Sequence, residues 1–182
     1  MRVGELIRSD LYRYHGRIGV VPFLKSWLMN RGFNYTLWFR LANAGLPLLS
    51  SFAALWLRGK QNRYGIELLK GTEVGPGLYI GHGGPCIVHP SARIGNNVNL
   101  SQFVTIGSNH GKAAVIGDNV YIGPNCVLVE GITIGNNVTI GAGSVVTRSI
   151  PDNCTAAGNP ARVLNQNNPG RYITQRWPLQ EN

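Results

Sequence analysis

From residue 68 onward an aliphatic side chain returns at every sixth position: Leu68, Val74, Ile80, then Ile94, Leu100, Ile106, then Ile116, Ile122, Leu128, Ile134, Ile140 and Val146. Cys86, a small residue of the buried type, completes the first run, so 12 of 13 repeat positions are aliphatic. Glycine follows the repeat residue at eight of the 13. Four positions on, another small or apolar residue recurs, as in Val98, Val104, Val120, Cys126, Ile132, Val138 and Ser144. A helix returns its apolar face every three or four residues and a strand every two, so a period of six is neither alone. It reads as short strands separated by sharp turns, with Asn96-Asn97 and Asn136-Asn137 where positive φ is tolerated. Stacked, such strands form a parallel β-solenoid, each turn burying its aliphatic residue against the turns above and below. A chain with 24 glycines in 182 residues thereby finds a use for them.

The period fails twice. The step from Cys86 to Ile94 is eight and that from Ile106 to Ile116 is ten. Extra residues must leave the solenoid wall, and loops on a rigid scaffold are where function concentrates. His82 lies just before the first break, His89 inside it and His110 inside the second; only His15 is elsewhere. A neutral imidazole can take a proton from a hydroxyl during acyl transfer, and a carboxylate on its other nitrogen fixes the tautomer. Glu67 precedes His82 by 15 residues, close to one 18-residue turn of three hexapeptides, which suits it to that supporting place. His89, in His89-Pro90-Ser91-Ala92, reads as a turn residue. Cys86 and Cys126 fall on inward positions and read as packing residues.

Charge is unevenly spread. The total of 17 Lys and Arg against 8 Asp and Glu gives +9, but residues 1–65 hold ten of the basic residues and only Glu5 and Asp10, a net +8. Trp27, Phe33, Tyr35, Trp38, Phe39, Phe52 and Trp56 crowd the same stretch. The expected organisation is a basic, aromatic, α-helical region over 1–65, a mainly β catalytic solenoid over 66–150, and a C-terminal loop and tail over 151–182. Leu41 to Leu57 carries no charge, but Pro47 divides it into two helices, which disfavours a bilayer span. Basic side chains beside Trp, Phe and Leu suit a helix lying on an anionic membrane, or helices packed on the second domain and neighbouring subunits. Three cysteines (Cys86, Cys126, Cys154) without a Cys-x-x-Cys pair indicate neither a disulfide framework nor a zinc ribbon. Glu5 and Asp10 interrupt any signal-peptide core. The expected location is the cytoplasm, including the inner face of the cytoplasmic membrane, and no nucleic-acid fold signature is present.

The run Ile116 to Leu164, with its IGDNVYIGPNCVLVEGITIGNNVTIGAGSVV beginning, resembles the C-terminal signature of the hexapeptide-repeat acyltransferases. That resemblance covers residues 66–164. It implies a left-handed parallel β-helix, a homotrimer, and acetyl-CoA in the groove between adjacent subunits, with no metal. Among its branches the chain is similar to the serine acetyltransferases, which implies His82 as general base, Glu67 as its supporting acid and His110 as a second active-site histidine; galactoside-type relatives place the base at His110. The resemblance also points to Ala142, Thr147 and Arg148 at the donor site, with Arg148 or Arg162 on the nucleotide phosphates.

Gly81 stands where serine enzymes carry an Asp that contacts the amino acid, and the segment Phe33 to Asn43 is similar to acetyltransferases of exopolysaccharide, capsule and colanic acid synthesis. The expected acceptor is accordingly a sugar hydroxyl of a surface polysaccharide. The same-class alternative is serine O-acetylation in cysteine biosynthesis. A different-class alternative is a metal hydratase of the γ-carbonic-anhydrase type, for which His82, His89 and His110 are present but the close histidine pair is missing.

Overall fold

The computed structural model describes residues 1–178. Four helices come first: α1 (Val3–His15), α2 (Val20–Met29), α3 (Arg31–Ala42) and α4 (Pro47–Tyr64). Pro47 opens α4 at the first helical turn, where its missing N–H has no intrahelical partner to lose. Gly65, left-handed at φ 67, ends α4 and turns the chain directly into the first strand. Among the described residues no helix is long and apolar enough to cross a membrane.

The remainder is a parallel β-solenoid of five turns. The first turn is β1 (Ile66–Leu68), β2 (Glu73–Val74) and β3 (Tyr79–Ile80); the second is β4 (Cys86–Val88), β5 (Arg93–Ile94) and β6 (Asn99–Leu100). The third is β7 (Thr105–Ile106), β8 (Val115–Ile116) and β9 (Tyr121–Ile122), and the fourth β10 (Val127–Leu128), β11 (Thr133–Ile134) and β12 (Thr139–Ile140). The last holds β13 (Val145–Val146), a bridge at Ile150 and β14 (Thr155–Gly158), whose antiparallel hairpin with β15 (Ala161–Asn165) closes the end. Like strands stack into three faces: a first face β1-β4-β7-β10-β13, a second β2-β5-β8-β11, and a third β3-β6-β9-β12-β14-β15. This is the hexapeptide-repeat β-helix that the period requires.

Both apolar series point inward. Leu100, Ile106, Ile122, Leu128, Ile134 and Ile140 are fully buried, as are Val98, Val104, Val120, Cys126 and Val138 two residues earlier. Each such side chain contributes roughly 1.5–3 kcal/mol by leaving water. Asn97 and Asn137 adopt positive φ of 55° at the corners, as expected, and Asn119, Asn125 and Asn153 repeat the device.

Register relocates the first break. Leu68 pairs with Val88 and Ile66 with Cys86, so Val88, and not Cys86, occupies the repeat position. The two extra residues therefore lie between Ile80 and Val88, and the loop that leaves the wall contains His82 itself. His89 falls outside it. The turn from Thr105 to Val127 confirms the four-residue insertion around His110, because the partners are 22 residues apart where an uninterrupted turn, Val127 to Val145, takes 18.

The helices close the open edge of the first turn. Ser9 and Asp10 of α1 accept from the N–H groups of Gly77 and Leu78 at 2.9 and 2.8 Å. Arg13 donates to the Gly77 carbonyl, and the Tyr14 hydroxyl serves both backbone groups of Ile80. From α3, Tyr35 serves both groups of Leu68, while Arg40 donates to the carbonyls of Val74 and Gly75 and pairs with Asp10 at 2.8 Å. Gly32 allows this approach, since a Cβ there would run into the Ile80 carbonyl.

Removing one partner of a buried ion pair leaves the other desolvated and unpaired, so Arg40→Met should lower unfolding stability by about 3–5 kcal/mol. Arg93→Met breaks the exposed pair with Glu73, two-thirds open to solvent on both sides, and should change it by about 0–1 kcal/mol. Urea denaturation of the two variants checks this; equal, small losses would show that Arg40 does not hold the helices to the solenoid.

Candidate active site

The two histidine loops sit on different edges of the solenoid. His82 follows β3 at the edge between the third and first faces, in a short 3-10 turn over Gly81–Gly83. Its backbone is left-handed, φ 58 and ψ −7, a conformation uncommon for a side-chain-bearing residue and met mostly where neighbours impose it. Here α3 imposes it: a Cβ at Gly83 would meet Arg31 and Gly32. The imidazole of His82 is exposed. Glu67, on β1, is also exposed, and Pro85 from the His82 loop packs on Gly65 two residues before it. The two groups share a neighbourhood, but no hydrogen bond joins Glu67 to His82 among the contacts of the described residues.

His110 follows β7 at the edge between the first and second faces, and it does have an acid. Its Nδ1 lies 2.8 Å from Glu130 Oε1. The other oxygen, Oε2, accepts from Ser108 Oγ and from the backbone N–H groups of Asn109 and His110 at 2.8–2.9 Å. The His110 hydrogen bond first, then the backbone and hydroxyl donors, hold the Glu130 carboxyl down at about 2. The loop is tied further by Lys112 N–H to Ser108 Oγ and Ala113 N–H to Ser91 Oγ, both 3.0 Å. With Nδ1 engaged by a carboxylate, Nε2 of a neutral His110 is the free basic nitrogen.

Glu130 went unnoticed in the sequence although a signal was there. Adding the four inserted residues to an 18-residue turn gives 22, the separation of Ser108 and Glu130, so one turn onward from the loop lands on the acid. The other residues divide in the same way as the histidines. Ala142 is exposed at the edge of His82, on the fourth turn, and Arg162 lies exposed on the closing hairpin of the third face. Thr147 and Arg148 are exposed just after β13, on the edge of His110. His89 makes a turn, with Nδ1 2.8 Å from Ser91 Oγ. Cys86, Cys126 and Cys154 are free and buried, and burial pushes the Cys86 thiol up to about 12, away from nucleophilic chemistry. Among the described residues no three His, Cys, Asp or Glu side chains are grouped to hold a metal ion.

The pairing predicts a measurable titration. The carboxyl of Glu130 should protonate near 2, so its grip on the loop, complete above its ordinary pKa near 4.5, is lost only as the pH falls through about 2. Carboxyl NMR of His110→Ala should show that titration moved up toward the ordinary range; an unmoved value would mean that the imidazole does not contact Glu130.

Residues 113–148 match the model of the bacterial transferase hexapeptide (six repeats) family. The serine acetyltransferase of Staphylococcus xylosus is 40% identical over 113 residues, which are 60% of this chain and 51% of that one. The mitochondrial serine acetyltransferase 3 of Arabidopsis thaliana is 36% identical over 166 residues, 88% of this chain and 42% of that one. The chain thus spans about half the length of these relatives. A soybean serine acetyltransferase solved in complex with serine superposes with a TM-score of 0.77 and 29% identity, covering 89% of this chain and 69% of that one.

These findings overturn the expected sugar acceptor and the closeness to polysaccharide acetyltransferases: the relatives are named for serine. That expectation rests on Gly81 and on the likeness of Phe33 to Asn43, in the N-terminal region, to polysaccharide acetyltransferases. A likeness reaching 89% of the chain must include much of the four helices, so that region is shared architecture. At Gly81 a Cβ would make only ordinary contacts, 3.6 Å to the Leu100 carbonyl and to Tyr79, so the position is not closed to a side chain, and its lacking one says little about acceptor charge when Glu67 stands exposed nearby. Repeat, five-turn solenoid and relatives agree in what the chain is similar to: the hexapeptide-repeat acyltransferases, with the family model itself matching residues 113–148.

Proposed function

We propose that this protein is an acetyl-CoA-dependent O-acetyltransferase whose acceptor is the hydroxyl of serine, working in the cytoplasm. The likeness to serine acetyltransferases over both helices and solenoid supports the acceptor. In this reading residues 66–150 form the catalytic β-helix, 1–65 its helical cap and 151–182 the closing loop and tail.

The observation that carries the mechanism is the His110–Glu130 pair. Glu130 fixes His110 with Nε2 outward, where it takes the proton as the acceptor oxygen attacks the thioester carbonyl. The tetrahedral adduct then collapses, re-forming the C=O of the ester and breaking the C–S bond, and the departing CoA thiolate receives that proton. The neighbouring carboxylate stabilises the transient imidazolium without itself being protonated. A correctly placed base of this kind is worth on the order of 10²–10⁴ in rate.

His82 belongs to the same reaction in a trimer. Within one chain it lies on the far edge of the first face, and so does Ala142, while His110, Thr147 and Arg148 share the near edge. Neighbouring subunits packed edge to edge bring one set against the other, with the acetyl-CoA arm along the small residues of Gly141–Ser144 and Arg148 or Arg162 on its phosphates. The first face and its corner offer apolar surface for such packing, with Ile87 47% and Val127 38% exposed on its strands and Phe103 55% exposed in the turn before β7.

With acetyl-CoA as donor, L-serine should release CoA and sugars should not; release with sugars alone would overturn the acceptor. His82→Ala and His110→Ala should each lower kcat by on the order of 10²–10⁴. Glu130→Gln should lower kcat by at least about tenfold, while Glu67→Gln should leave it nearly unchanged. The reverse order for the two acids would move the base to His82.

A further inference from the structure

The helical end carries a surface that neither the repeat nor the active site uses. α2 exposes Val20 (75%), Val21 (74%), Leu28 (74%) and Met29 (77%), and α4 exposes Leu48 (91%), Leu55 (71%) and Phe52 (54%). Monomeric soluble proteins rarely leave so much large apolar surface together. Both helices pack on α3, and between them runs a groove of about 450 Å³. Trp27, Trp38, Phe52 and Trp56 line it, with Lys60 and Arg63 beside them. Trp38 and Trp56 stack at 5.5 Å. Beneath it, Trp38 Nε1 and Asn34 Oδ1 are buried with no hydrogen-bond partner among the described residues.

Charge decides what covers this surface. From Leu11 to Ile66 the sequence contains no Asp or Glu. Of its eight Lys and Arg, Arg13 and Arg40 are buried in the cap of the first turn, leaving Arg17, Lys25, Arg31, Arg58, Lys60 and Arg63 uncompensated at the surface. A second copy would set these cations against one another, which opposes self-association through this face. An anionic lipid surface matches both properties: its headgroups meet the cations, and its acyl boundary takes the Leu, Val and Trp side chains. Since no described helix is suited to span, the helices would lie in the interface.

We propose that α2 and α4 form a peripheral docking surface for an anionic membrane, seating the trimer with its helical end on the bilayer. The aromatic groove sits at headgroup depth, with its indole rings toward the acyl boundary and Lys60 and Arg63 beside the phosphates.

The full-length protein would be sedimented with phosphatidylcholine vesicles with or without about 30 mol % phosphatidylglycerol. Binding is expected only to the anionic vesicles, with a blue shift of Trp fluorescence, and should weaken markedly from about 50 mM to 500 mM salt. The triple variant Arg58→Gln, Lys60→Gln, Arg63→Gln should reduce vesicle partition by roughly 10²-fold, while L-serine acetylation in solution stays unchanged. Leu28→Ser with Leu55→Ser, on the exposed face, should abolish the blue shift while retaining weak salt-sensitive binding. No sedimentation at low salt would overturn the proposal. So would a higher oligomer in light scattering that Leu28→Ser and Leu55→Ser dissolve, which would assign the face to a second copy.

Discussion

A solenoid of stacked strands has an inherent weakness at its ends, where a whole turn of backbone N–H and C=O groups has no turn beyond it. Here nine such groups, on Leu68, Val74, Gly75, Gly77, Leu78 and Ile80, are met by side chains of α1 and α3. Each would cost about 1–3 kcal/mol if buried without a partner, and an open edge would also template the pairing of another chain. Asp10 and Arg40 tie the two helices together as they do this, so one buried pair fixes the cap. The placement of α3 in turn sets the His82 turn, which packs on Arg31 and Gly32. At the other end the chain runs back along the solenoid, and the Trp177 N–H reaches Asn97 Oδ1 at 2.8 Å.

Much of this was legible because a period of six has so few structural solutions. The inward series, the asparagine corners and the two loops could all be read from spacing. The first break was misplaced because Cys86 looks like a repeat residue, and only strand pairing shows that Val88 fills that place. The cap was not legible at all. In the sequence Asp10, Arg13 and Arg40 look no different from the other charges of a basic N-terminal region, yet they are among the most buried polar groups of the described residues. Polar residues that meet backbone groups 30 to 70 positions away leave no local pattern in sequence. Glu130 is hidden differently: it lies one interrupted turn, 22 residues, after Ser108 of the His110 loop, so it shows only once the insertion is added to the repeat.

The acceptor was misread for an instructive reason. A single missing carboxylate at Gly81 carries less information about the acceptor than the architecture around it. Substrate charge is recognised by whichever groups converge on the site, and convergence depends on where edges meet. The two histidines, and the donor-site residues with them, are divided between two edges of one first face. In the function proposed above, a single chain holds two halves of a site, one with His82 and Ala142 and one with His110, Glu130, Thr147 and Arg148, and the neighbour's half would complete each.

That division is most directly tested by mixing. His82→Ala chains and His110→Ala chains, each inactive alone, would be denatured together, refolded as mixed trimers and assayed for CoA release with L-serine. A site built from two subunits predicts recovery of about a quarter of the wild-type rate, the share of edges that pair one intact half with the other under random assembly. No recovery, with trimers formed normally, would mean that both histidines act within one chain and would contradict the account.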